Sequence, residues 1–219
     1  MKYWTINQET KEVIGSGDAD KWNVPRNVLT IEPLPCREKF AVIALDCLTG
    51  TEYIEDHRDE LIFNTSTKEC LLMKTLGAIP DGFTLIEPLP FSIWVTDKWV
   101  QQVNLVRTEK ITEIKRWRDM QEADELQKVT VDGKVWDSGP SARVRIDSTL
   151  MTGLMPPYWT DANNVDHKGM TLEELTQVKF AISELGFAIH HRQRNMKKEV
   201  EALTDFDEIL NYPVGWPQS

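Results

Sequence analysis

Histidine, cysteine and clustered carboxylates are the residues most able to do chemistry in this chain. The histidines are His57, His167, His190 and His191. His190 and His191 are adjacent on a predicted helix, where neighbours diverge by about 100°, so they do not readily share one metal ion. Neither has the carboxylate spacing of a zinc-protease helix. The run Glu55-Asp56-His57-Arg58-Asp59-Glu60 has the composition of an acid–base cluster, but between two strands it reads more simply as a solvated turn. Cys36, Cys47 and Cys70 are odd in number and lack CxxC spacing, which suggests reduced thiols and neither a disulfide framework nor a zinc site. No nucleophile elbow, P-loop or dinucleotide fingerprint is present. Gly133, Trp136, Asp137, Ser138 and Arg143 form a compact polar-aromatic group. A ligand-binding reading competes with a structural one, which is favoured: Gly133 serves a turn, Asp137 or Ser138 caps a helix, Trp136 packs, and Arg143 reaches a carboxylate or carbonyl. No catalytic residue, metal ligand or cofactor is expected.

Composition narrows the remaining classes. The chain has 219 residues, net charge −10 and eight Trp. The acidic balance argues against nucleic acid and against a polybasic membrane surface as partners. The basic cluster Arg192, Arg194, Lys197 and Lys198 is expected near a helix C-terminus, where cations favour the dipole. The N-terminus turns polar too early for a signal peptide, and no run approaches the roughly 18 apolar residues of a membrane helix. A soluble protein is expected. So many Trp residues suggest interfaces, between modules or with a partner.

The elements carrying these residues begin with an internal repeat. Asn7-Gln8-Glu9-Thr10-Lys11-Glu12 is echoed by Asn64-Thr65-Ser66-Thr67-Lys68-Glu69, Val24-Pro25 by Ile79-Pro80, and Ile31-Glu32-Pro33-Leu34-Pro35 by Ile86-Glu87-Pro88-Leu89-Pro90. The order is kept with one two-residue gap, as in a duplicated supersecondary unit. Each copy reads as a short hairpin, a Pro-rich extended segment and a second hairpin. The first β module is placed at residues 1–57 and the second at 58–104.

A connecting helix is predicted within 105–128, spanning 107–127 with Thr108 as its cap. Its apolar residues, including Ile111, Ile114, Trp117 and Met120, recur every three positions, so the apolar surface winds around the axis. This leaves two uses open, internal packing or docking onto another chain. Residues 129–219 read as a mainly helical domain. It starts with a hairpin turning at Asp132-Gly133. A helix from Pro140 to about Gly153 follows. A longer helix is opened by the capping box Thr171-Leu172-Glu173-Glu174, with Leu175, Val178, Ile182, Leu185 and Ile189 on one face. A short helix from Asp205 leads to a tail where Tyr212 and Trp216 stand among prolines. The fold class is α+β. The expected partner-interface residues are Ile111, Ile114, Trp117, Met120, Tyr212 and Trp216.

The stretch Thr51 to Asp59, with Ile62-Phe63-Asn64-Thr65 and Leu76-Gly77-Ala78-Ile79-Pro80-Asp81-Gly82-Phe83-Thr84, resembles the aromatic-x-x-x-Asp-His-Arg-Gly and Leu-Gly-x-x-Pro pattern of tail-fibre assembly proteins of tailed phages. Asp59 stands where that pattern has Gly. From about Thr112 onward the chain is similar to an uncharacterised domain of tail-fibre and fibre-assembly proteins. The resemblance implies a chaperone that binds a phage tail-fibre protein in the host cytoplasm and assists its folding or trimerisation. It implies no catalytic residues. The alternative is a permanent virion component of the fibre, a connector or tip. Self-association remains open; nucleic-acid binding and membrane insertion are not expected.

Overall fold

The computed structural model describes residues 1–217. They fold as α+β in two compact units, Met1–Gln101 and a second from Gln102 onward. The first unit contains only small sheets. β1 (Lys2–Ile6), β2 (Val13–Asp18) and β3 (Val28–Leu29) form a sheet ordered β2-β1-β3, followed by the hairpin β4 (Phe40–Ala44) and β5 (Thr51–Glu55). The second copy repeats this: β6 (Leu61–Asn64), β7 (Cys70–Leu72) and β8 (Phe83–Thr84) are ordered β7-β6-β8, then β9 (Ser92–Val95) pairs with β10 (Lys98–Gln101).

The repeated residues do the same work in each copy. Asn7 Oδ1 accepts from the Glu9 and Thr10 amides at 2.8 and 3.1 Å, and Asn64 Oδ1 from Ser66 and Thr67, both at 2.9 Å. Such Asx contacts fix a tight turn through the side chain. Each turn closes with a left-handed lysine, Lys11 at φ 60° and Lys68 at φ 64°. Both Ile-Glu-Pro-Leu-Pro segments lie outside strands, with a partly buried central proline and exposed Ile and Leu. Their last carbonyls accept from the following hairpin, Pro35 O from Tyr53 at 2.8 Å and Pro90 O from Gln101 at 3.4 Å. The copies differ in the third strand. Leu29 pairs with Trp4, whereas its counterpart Thr84 pairs with Phe63, the counterpart of Ile6. A two-residue slide keeps every side chain on its original face, so the core tolerates it.

The second unit is built on helices α1 (Val103–Ala123), α2 (Pro140–Thr152), α3 (Leu172–Ala202) and α4 (Phe206–Leu210), with hairpins β11 (Lys128–Val131)–β12 (Lys134–Asp137) and β13 (Tyr158–Thr160)–β14 (Asp166–Lys168). The first of these hairpins turns at Asp132 and Gly133, φ 50° and 74°, as Asp-Gly demands. The Thr171–Glu174 capping box is formed in both directions. Leu175, Val178 and Ile182 pack with Val129, Trp136 and Ile146 in one core, with Leu185 at its edge. Farther along α3, Ile189, Met196 and Val200 are fully buried, and α1 packs against both α3 and α4.

Three local expectations are corrected. The first helix begins at Val103, not near Thr108, after an extended Gln102. Thr108 sits inside it and donates back to Asn104 O at 2.8 Å, a common use of mid-helix threonine. The cap of α2 is neither Asp137 nor Ser138. Its N-cap is Gly139, and the Glu125 carboxylate accepts from the Ser141 amide at 3.1 Å and hydroxyl at 2.8 Å. A Cβ at position 139 would meet the Glu125 backbone at 2.6 Å, so only glycine allows this approach. The basic cluster also does not serve the α3 dipole. That helix continues to Ala202, and its last turn carries no basic residue.

Candidate partner-binding surface

The six residues expected to contact a partner all belong to the second unit. Ile114 is fully buried and Trp117 nearly so, while Ile111 and Tyr212 are half-buried. Met120 is 64% exposed and Trp216 43%. Trp117 and Trp216 meet edge to face with centroids 5.4 Å apart, and the Trp216 indole donates to Gln121 Oε1 at 3.0 Å. The prolines of the tail therefore hold Trp216 against α1 and do not leave it free. Arg192 reinforces this by donating to Gly215 O at 2.7 Å. The Tyr212 hydroxyl donates to Glu199, and desolvation, then that contact, pushes the phenol up to about 12. Trp117 and Trp216 are thus brought together, Met120 lies nearby on α1, and Ile114 faces inward.

The charged run 55–60 is not a solvated turn; it is a network. Arg58 donates to Glu12 through both terminal nitrogens, at 3.0 and 2.8 Å, and to Asp56 through Nε at 2.7 Å and Nη2 at 2.5 Å. His57 Nδ1 lies 2.7 Å from Glu60, whose carboxylate also receives Lys39 Nζ at 2.9 Å. The Arg58 guanidinium holds the Asp56 carboxyl below the usual carboxylate range, and His57, then Lys39, do the same for Glu60. Asp56 also bridges to Gly77 in the next module. These side chains stitch the two β modules together, which exposed ion pairs alone rarely achieve. Sequence could not show this, because Glu12 lies 46 residues from Arg58.

A buried acid occurs in the second unit. Asp161 accepts from the Asn163 and Val165 amides at 2.8 and 3.0 Å and faces His167 Nε2 at 3.0 Å. The His167 contact, then the amides, lower its pKa. His167 packs on Trp136 with centroids 5.3 Å apart. This pair closes the β13–β14 hairpin. Arg143 reaches the Ser138 carbonyl at 2.7 Å, as the structural reading of that group expects. No grouping able to hold a metal ion occurs among the described residues, and no helix among them is long and apolar enough to cross a membrane.

Apolar surface is most abundant in the first unit. In β7, Leu71 and Leu72 are 51% and 47% exposed, and Leu61, paired with Leu72, is 52% exposed. Ile31, Leu34, Ile86 and Leu89 of the two Pro-rich segments are exposed as well. Exposed apolar side chains at an open strand edge are a common protein-binding feature. On α3, Phe180 and Phe187 are 57% and 76% exposed. They sit seven residues apart, off the Leu175–Ile189 stripe, on the opposite side of the helix. Their position outside that stripe is the sequence signal for this face.

Comparisons with known proteins match parts of the chain. Residues 106–212 match the model of a domain of unknown function, DUF4376. The tail fiber assembly protein of Escherichia phage lambda is 26% identical over 117 residues, 52% of this chain and 60% of that protein. Over part of its length the chain is similar to phage tail fibre assembly proteins. Prophage homologue TfaE of Escherichia coli K12 is 42% identical over 101 residues, 44% of this chain and half of its own length. Homologue TfaR of the same strain is 25% identical over 131 residues, 57% of this chain and 69% of its own. The match to the lambda protein thus spans about three fifths of that relative. No solved structure matches the chain.

Proposed function

We infer that this chain binds a phage tail-fibre protein while that fibre folds or trimerises, acting without catalysis in the host cytoplasm. The observation that carries the reading is the apolar surface of the first unit, where Leu61, Leu71, Leu72, Ile86 and Leu89 stand exposed on short strands and extended segments. Small sheets with open edges gain stability when another chain covers them. The names of the relatives point the same way. In the second unit, Met120 and Trp216 are the proposed points of contact, with Ile111, Ile114, Trp117 and Tyr212 supporting them from behind.

The test is co-expression with a phage tail-fibre protein, measuring soluble, trimeric fibre. Leu71→Ser/Leu72→Ser removes exposed apolar groups without touching the core. It is expected to lower soluble fibre several-fold while the chain itself melts unchanged. Met120→Ala/Trp216→Ala is expected to lower it less. Fibre that folds to the same yield without this chain would overturn the reading.

A further inference from the structure

The second turn-pair from the end of α3 carries cations that the fold does not use. Arg192 is engaged with Glu199 and the tail, and His190 Nε2 lies 2.7 Å from Glu122. No carboxylate pairs with Arg194, Lys197 or Lys198 among the described residues. They are not last-turn residues, so the helix dipole does not account for them. They stand out in a chain of net charge −10, where isolated positive potential attracts anions efficiently.

Arg194 and Lys197 border an open hollow of about 420 Å³, lined also by Phe187, His190, His191 and Gln193. Gln193 is 7% exposed, and its buried Nε2 has no acceptor. A buried amide donor without a partner is costly. Arg194 offers a planar fork suited to carboxylate, and Lys197 offers a point charge. Beside them Phe187 presents an apolar ring that is 76% exposed. The hollow therefore combines donors for a carboxylate with a platform for an adjoining apolar side chain.

We propose that this hollow on α3 is a docking site for an acidic peptide segment of another protein chain, one with an apolar residue next to its carboxylates. The inference rests on the partner-binding reading above and adds the chemistry that the partner segment must have. A nucleic acid is disfavoured, because the cations are few and the surrounding chain is acidic. The Phe187 platform favours a short side-chain-bearing segment over a diffuse polyanion.

The test uses the intact chain and a fluorescent octapeptide alternating glutamate and leucine, with its glutamine counterpart as control. The glutamate peptide is expected to bind saturably and more weakly as salt rises. Arg194→Gln/Lys197→Gln and Phe187→Ser are surface changes and should melt like the parent. The first is expected to weaken the peptide roughly tenfold or more, as loss of charged hydrogen bonds implies. Equal binding of the glutamine peptide, or unchanged binding by Arg194→Gln/Lys197→Gln, overturns the proposal. So does concentration-dependent self-association in sedimentation that the same variant abolishes without any peptide binding, since the occupant is then a second copy. A single-stranded oligonucleotide that displaces the glutamate peptide at equal charge overturns it too. The peptide titration needs no fibre, so failure of the fibre assay leaves it standing. Conversely, if wild type and Arg194→Gln/Lys197→Gln rescue the fibre equally, this site alone is eliminated.

Discussion

The two units solve the problem of stability by different means. Among the described residues, the first unit has six buried hydrophobic residues: Leu29, Ala41, Ala44, Ile62, Met73 and Trp99. The second has fourteen, from Val106 to Ile209. The helices of the second unit bring their apolar stripes together around α3, so burial does most of the stabilising. The first unit has strands of two to six residues in sheets of two or three, too short to enclose a comparable core. It is held by Asx turns, the Arg58 network and bridges between modules. Of eleven non-glycine residues with positive φ, nine lie in the first unit. Tight turns supply its order, and several of its apolar groups stay unburied. The second unit instead buries most of its apolar stripes.

The most severe way to break the comparison is to charge the core of the second unit. Ile182 is 9% exposed and packs with Leu175, Val178 and Ile146. Ile182→Asp is expected to cost about 4 kcal/mol or more, because an unpaired carboxylate enters a dry site. Loss of helical circular dichroism at lower temperature checks it. A variant that melts like the parent would mean that this face is not the core.

The equivalent blow to the first unit is electrostatic. Arg58→Met strips Glu12 and Asp56 of their common partner and should cost about 1–3 kcal/mol, the range for charged hydrogen bonds. Urea melts of a variant whose second-unit tryptophans are replaced by phenylalanine, followed by tryptophan fluorescence that includes Trp94 and Trp99 edge to face across β9 and β10, report on this unit. The pH dependence follows the same network. Asp56 and Glu60 have folded pKa values below their ordinary ones. Their contribution is full above the ordinary carboxylate range of about 4 and is lost as pH falls through the folded values. Arg58→Met should therefore have a shallower loss of stability in acid than the parent. Parallel acid profiles for the two would remove Arg58 as the cause.

The contrast also explains what could be read from the chain. The repeated Asx turns, the Asp132-Gly133 hairpin and the Thr171 capping box were legible because each is written in neighbouring residues. The α3 stripe was legible from its period. What was not legible depends on distant partners. Glu125 capping α2, Arg58 reaching Glu12 and the tail returning to Trp117 each join residues far apart in sequence, and no local pattern encodes them. For the expected interface, period alone placed Ile114, Trp117 and Met120 on one winding surface. The fold divides that surface, covering Ile114 and leaving Met120 exposed.

A milder probe improves the helical unit without disturbing its contacts. Gly186 lies inside α3, and a Cβ added there meets nothing within 4 Å. Gly186→Ala should stabilise the second unit by roughly 0.5–1 kcal/mol by removing freedom from the unfolded chain. Thermal melting would show it as a rise in the helical transition. No rise, or a fall, would mean that this part of α3 is frayed or occupied.

The smallest effect tests the turn-based order of the first unit at Asp59, where the resembling pattern has glycine. Asp59 is exposed and has φ 63°, and its amide donates to Met73 O at 2.8 Å, so the chain is held left-handed at the junction of the two modules. That geometry is why glycine suits the position and why aspartate, one of the side chains that tolerate it, can replace it. Asp59→Gly should change stability by no more than about 0.5 kcal/mol, since relief of local strain is offset by a more flexible unfolded chain. Asp59→Val should cost about 1–2 kcal/mol, because a β-branched side chain resists the left-handed region. The difference between the two variants, measured in one set of urea melts, isolates the backbone requirement from any charge effect, because both remove the carboxylate. If valine and glycine prove equally stable, the turn at Asp59 is not what holds the modules in register, and the Arg58 network carries that role alone.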